Sequence, residues 1–291
     1  MLCEISSQYG FLAVWLSMSL LGVVSVLTLS GAVFLPFYAY PSYEKWVRKS
    51  NPKFPSPELV RKEIIQSLKG VAIGVVCPAF ALYASYSGML HGYCGDPHGV
   101  GVSGHLLQTL VIIGFSDFVE YAYHWLGHRY HTMWNVHKHH HVFYNPTPFA
   151  VIADELVDQF MRSLPMVILP AMMPINIDLL FTIYSTLFYG YGVYLHWGFE
   201  SPYLSAHNPI FNTSYHHYSH HAVSVIGRPV YTGFFFKIWD NLFNTCSPSP
   251  CSCYECRPMR SKADYAKVVK PDYSVLLSPS FWATASMDIK E

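Results

Sequence analysis

Histidines at intervals of three and four mark where this chain could do chemistry. His124 and His128 are four apart, so they share one helix face. His137, His140 and His141 repeat that spacing, and so do His217, His220 and His221 about 75 residues later. Neutral imidazole is a ligand for zinc, copper, iron and nickel alike, so the pattern implies a metal site without choosing the metal. Eight imidazoles exceed the four donors of a zinc ion and suit a pair of metal ions. A solvated histidine cluster would explain one HxxHH, but hardly three such boxes on one side of a membrane. His139 falls out of phase with its neighbours and is not expected to ligate, while His131 and His216 are intermediate cases.

The elements that must carry these boxes are apolar. Hydrophobic residues make up 52% of the 291 and charged residues only 12%, a balance that points to the membrane. Net formal charge is zero, which gives no footprint for a nucleic-acid partner. Residues 11–39 are uncharged and long enough to cross a bilayer, and they lack the basic flank of a signal peptide. A polar loop over 40–67 leads to a second span at 68–90, and a Gly-rich loop at 91–104 leads to a third at 105–123. The last is expected to continue as one helix over 105–131, about 40 Å long, whose polar stripe is Asp117, Glu120, His124, His128 and His131. Asp117 and Glu120 are expected to hold the far nitrogens of ligating imidazoles. Residues 156–174 and 177–195 form a further apolar pair, bent by Pro165, Pro170 and Pro174, that either spans or re-enters.

No Lys or Arg lies between Gly70 and His128, whereas Tyr40–Ser67 holds six. By the positive-inside rule that loop and the boxes face the cytosol, and His91, His98 and His105 lie on the wrong side to ligate. The expected fold is an all-α integral membrane protein with about four transmembrane helices and a cytosolic histidine-rich helical cap. Its expected divisions are N-terminal spans over 1–104, a metal-binding domain over 105–245 and a peripheral cytosolic tail over 246–291. The seven cysteines show no secreted disulfide pattern. Cys246, Cys251, Cys253 and Cys256 lack paired CxxC repeats, so reduced thiols are expected ahead of a zinc knot.

With the boxes read as HWLGH, HKHHH and HHYSHH, the chain resembles the membrane-bound fatty acid hydroxylase and sterol desaturase superfamily over roughly Asp117 to Thr245. NPTPFA at Asn145–Ala150, NPIFNTSYHHYSHH at Asn208–His221 and KIWDNLF at Lys237–Phe243 are most similar to sterol C-5 desaturases. The resemblance implies a non-haem centre of two iron ions that uses O2 as co-substrate. Its ligands would be His124, His128, His137, His140, His141, His217, His220 and His221, with His196 of LHWGFE as a ninth. The family's histidine after the second box is missing. The stretch reads IADELVD, which makes Glu155 a candidate ligand, with His207 and His216 as further candidates.

The implied activity is oxygen-dependent introduction of a C-5 double bond into a sterol in the endoplasmic reticulum. Electrons would come from cytochrome b5 and its NAD(P)H-dependent reductase, since no HPGG-type haem motif is present. The alternatives are a hydroxylase of a methylsterol, sphingoid base or fatty acyl chain, and a zinc-handling membrane protein. The aromatic stretch Tyr184–Tyr194 would either line a lipid entry or simply pack between helices.

Overall fold

The computed structural model describes residues 2–96 and 99–283. His98, expected as a loop histidine, lies outside the described residues. Three helical stretches are long and apolar enough to cross a membrane: Cys3–Ala39, Pro57–Tyr86 and Gly101–Arg129. The first kinks at Gly10, whose φ of 75° suits a residue without a Cβ, and loosens into π turns at Val26–Ser30 and Leu35–Ala39.

The second begins well before residue 68. Ser56 caps the Pro57–Gly74 helix by accepting from the Leu59 amide, and Pro57 takes the first helical position, where its missing N–H costs nothing. The charges that disguise this start are buried with partners: the Glu63 carboxylate accepts from the Thr147 amide at 3.1 Å. At Gly70 an added Cβ would collide with the Ile152 carbonyl, so the close approach of the helix to that turn requires glycine.

The third stretch also departs from expectation. Gly101–Arg129 stops at Tyr130, which is extended, and a separate helix, His131–His141, starts there. The first two boxes therefore lie on two helices that meet at a corner.

In the 156–195 pair the first limb is Leu156–Ser163 and Pro165–Met172, and the second runs from Ile177–Thr182 through π turns at Ile183–Phe188 into Tyr189–His196. Its turn reaches the far end of the bundle. Gly92 and Tyr93 pair in parallel with Ile175 and Asn176, and the Asn176 amide donates to Gln108 Oε1 at 2.9 Å. At that end a disulfide joins Cys3 to Cys94, a bond that cysteine spacing did not suggest.

NPTPFA is a structural clasp. Pro146 O accepts from the Tyr38 hydroxyl at 3.1 Å, Pro148 O accepts from Ser30 at 2.7 Å, and Asn145 Oδ1 accepts from the buried Lys49 ammonium at 3.1 Å. The tail is not peripheral as far as it is described. Tyr273 is buried against Phe34, its hydroxyl donates to Pro55 O at 2.6 Å, and Arg257 and Arg260 donate to carbonyls of the 47–50 turn.

Candidate metal centre

Nine histidines converge where the third span, the His131–His141 helix, the Tyr189–His196 helix and the Ser214–Val223 helix meet. They sort into two groups whose ligand-capable atoms lie within 4.8 Å of one another: His124, His128, His137, His141 and His220, and His140, His196, His217 and His221. All are buried except His141, which is half-buried.

Each HxxHH box divides between the groups. His137 and His141 join the first group and His140 the second; His217 and His221 join the second and His220 the first. Helix geometry explains the division. Residues i and i+4 are about 40° apart around the axis, while i+3 lies about 60° to the other side. A box of this spacing therefore points two rings one way and one ring the other.

Hydrogen bonds fix the rings. His124 Nδ1 is 2.9 Å from Thr232 O, His220 Nδ1 is 2.7 Å from Val230 O, and His196 Nδ1 is 2.9 Å from Gly192 O. His137 Nδ1 is 2.9 Å from Asp158 Oδ2, and His140 Nδ1 lies 3.0 Å from Asp154 Oδ1 as a charge contact outside hydrogen-bonding geometry. Carbonyl and carboxylate oxygens only accept, so these rings carry their proton on Nδ1 and turn the Nε2 lone pair inward.

The inward contacts are then short for neutral rings. His196 Nε2 and His140 Nε2 are 3.4 Å apart, with lone pair facing lone pair. His141 Nε2 lies 3.3 Å from His137 Nε2 and 3.1 Å from His220 Nε2, and one N–H would serve only one of them. His124 Nε2 is buried with no hydrogen-bond partner. Burial, reinforced by neighbouring rings, holds His141, His217 and His221 well below the usual imidazole range, so protonation does not relieve the crowding. A cation in each group would, and the donor set fits one.

Behind the rings stands a layer that sequence reasoning did not find. Asp154 and Asp158 both face Arg162, whose Nε is 3.9 and 3.8 Å from their carboxylates and whose Nη1 pairs with Glu120. Burial raises the Asp154 carboxyl but is outweighed by Arg162 and His140, which leave it below the ordinary carboxylate range. The signal was the four-residue spacing of Asp154, Asp158 and Arg162, which on an exposed helix would be an ordinary salt-bridge ladder.

Several expected residues stand elsewhere. Glu120 contacts Arg162 rather than an imidazole, because it lies on the flank facing the Leu156–Ser163 helix. Asp117 accepts from the Phe235 amide and the Trp239 indole, both at 2.7 Å. With Asp240, which accepts from the Thr232 amide at 2.9 Å, it fixes the 230–245 loop that supplies the Val230 and Thr232 carbonyls. Glu155 caps the Leu156–Ser163 helix, accepting from the Val157 amide at 2.6 Å, and its neighbours Asp154 and Asp158 face the rings instead. His216 is turned into the cap of its own helix by Thr213, 3.0 Å away. His207 lies exposed beside Cys253 and Cys256. His131 and His139 belong to neither group.

Residues 109–245 match the fatty acid hydroxylase family. A Delta(7)-sterol 5(6)-desaturase of Schizosaccharomyces pombe is 29% identical over 86% of this chain and 81% of its own length. The lathosterol oxidase of Rattus norvegicus is 29% identical over 75% of this chain and 72% of its own length. That of Homo sapiens is 30% identical over 63% of this chain and 60% of its own. No solved structure matches.

Proposed function

We propose that this chain, which carries the fatty acid hydroxylase domain over residues 109–245, is an oxygen-dependent lipid oxidoreductase that introduces a C-5 double bond into a sterol. The observation that carries the reading is the inward convergence of nine imidazoles in two groups, with their outer nitrogens held by acceptors. One iron ion would be held by His124, His128, His137, His141 and His220, and a second by His140, His196, His217 and His221. When bound, the pair would supply activation of O2 and removal of hydrogen from an unactivated C–H bond.

The chain's own contribution is positional. Asp154, Asp158 and the carbonyls of Gly192, Val230 and Thr232 hold the rings in one tautomer, and burial excludes water. An apolar cavity of about 280 Å³ lies between the first two spans and the last limb, lined by Gly22, Val71, Gly74, Met166, Tyr184 and Tyr189. Ile152 and Gln159 form part of its wall, and Asp154 and Asp158 lie between them in the chain, so a bilayer lipid seated there would lie close to the layer that orients the rings.

The orientation follows from the two ends. The boxes face the cytosol, where cytochrome b5 and its reductase supply electrons. The Cys3–Cys94 bond lies on the oxidising side, inside the endoplasmic reticulum. In this reading the 156–195 pair crosses and returns, as a fourth and a fifth pass, which is supported by Asp158 touching His137 at one end and Ile175 pairing with Gly92 at the other.

Sterol profiling by mass spectrometry of yeast lacking its own C-5 desaturase tests the reading. The wild-type chain restores the C-5 double bond and His220→Ala does not. Sterols that stay saturated at C-5 while the expressed protein holds two irons would instead assign a hydroxylase of another lipid.

A further inference from the structure

A second cluster of metal-ligating side chains lies apart from the nine histidines. His207, Cys251, Cys253 and Cys256 each offer one atom, and the four atoms lie within 4.8 Å of one another. His207 Nε2 is 3.2 Å from Cys256 Sγ and 3.5 Å from Cys253 Sγ. We propose that these four residues bind one structural zinc ion that staples the C-terminal segment to the third-box region.

The donor chemistry selects the ion. Three thiolates and one imidazole are a recurrent structural zinc set, and closed sites of this kind are four-coordinate and tetrahedral. With Zn–S about 2.3 Å and Zn–N about 2.0 Å, the edges of such a tetrahedron are about 3.5–3.8 Å, close to the observed separations. None of the three cysteines is in a disulfide. Cys246, the fourth cysteine of the run, stands outside the group, with its thiol 3.3 Å from Asn241 Oδ1. The second CxxC that is missing beside Cys253–Cys256 is thus replaced by Cys251 and a histidine 44 residues upstream of it, which sequence spacing does not show.

The backbone is built to hold the donors. A tight turn sets Cys253 and Cys256 together, with the amides of Cys256 and Arg257 donating to Cys253 O at 3.0 and 2.9 Å. Glu200 anchors the turn by accepting from the Tyr254 amide and from Arg257 Nη1, both at 2.7 Å. The Ser252 amide donates to the Tyr215 hydroxyl at 2.8 Å, and Tyr215 belongs to the helix that carries His217, His220 and His221. Apolar packing at this junction is small, Cys253 clustering with only Ala206 and Tyr215 among buried residues. Metal ligation is the kind of bond that can stabilise so thin a contact, since its binding free energy becomes folding free energy.

Elemental analysis of the full-length protein, purified without chelator or added zinc, tests the proposal. Wild type carries about one zinc per chain. Cys256→Ser and His207→Ala, both at exposed positions, lose it while retaining wild-type iron content, and Cys246→Ser keeps it. In the wild type, Cys251, Cys253 and Cys256 resist alkylation until a zinc chelator is added, and the tail then becomes sensitive to protease. Absence of zinc, zinc unchanged in Cys256→Ser, or thiols that alkylate as fast as Cys246 would each overturn it. Failure of the two-iron reading would show separately, as iron that does not respond to His220→Ala.

Discussion

The two histidine groups are built from the same two helices yet lean on different parts of the molecule. His131–His141 and Ser214–Val223 send rings into both. The first group is completed by His124 and His128 from the end of the third span, and is steadied by Asp158 and the carbonyls of the 230–245 loop. The second is completed by His196 alone, from the end of the last limb, and is steadied by Asp154 and a carbonyl one turn back in its own helix. The first group thus depends on a long loop and Asp158, the second on a carbonyl of its own helix and Asp154. Arg162 is the element common to both, since it faces Asp154 and Asp158 together.

The largest expected effects come from removing a ring. His220→Ala should abolish turnover and empty the first group of its ion, whereas His196→Ala should empty the second. Iron content and a spectroscopic probe of metal–metal coupling check this, and equal loss of both ions in both variants would merge the groups into one site. An intermediate effect separates the supports. Arg162→Met should weaken both ions, while Asp158→Asn should lower affinity or activity roughly 10–100-fold through the first alone. Metal titration of the two variants would sharpen the contrast, and identical profiles would break it. The smallest effect belongs to Glu155→Gln. It should leave iron content and turnover unchanged and cost roughly 0.5 kcal/mol at most through a weakened helix cap, measurable as a small shift in thermal unfolding.

What the sequence made legible follows from what is local. The nine histidines stand together because three- and four-residue steps on a helix determine direction, and the family pattern supplied His196. The division of each box between two groups was implicit in the same geometry, since i+3 and i+4 point apart. Asp154, Asp158 and Arg162 were not legible, because buried and exposed charge ladders have the same spacing. The carbonyls of Val230 and Thr232 have no side-chain signature at all. Asp117 and Glu120 do have side-chain partners, but a stripe continuous with the histidines suggested imidazole ones. Packing instead gave them the Phe235 amide and Trp239 in one case and Arg162 in the other. The early start of the second span at Pro57 was masked by Arg61 and Glu63, both of which prove to be buried.

The corner at Tyr130 makes chain length part of the ligand set. Arg129 ends one helix and His131 begins the next, so only one residue separates the His124–His128 pair's helix from the His137–His141 helix. One residue inserted within His131–Val136 would turn everything after it by about 100° relative to the start of that helix. Rings now divided between the two groups would swing toward neither. The exposed stretch around Ser201–Tyr203 carries no ring of either group, and a residue added there would be absorbed by the loop. Substitution and insertion are therefore expected to select different parts of this protein: substitution the histidine positions of the two groups, and insertion the short segment between the first two boxes.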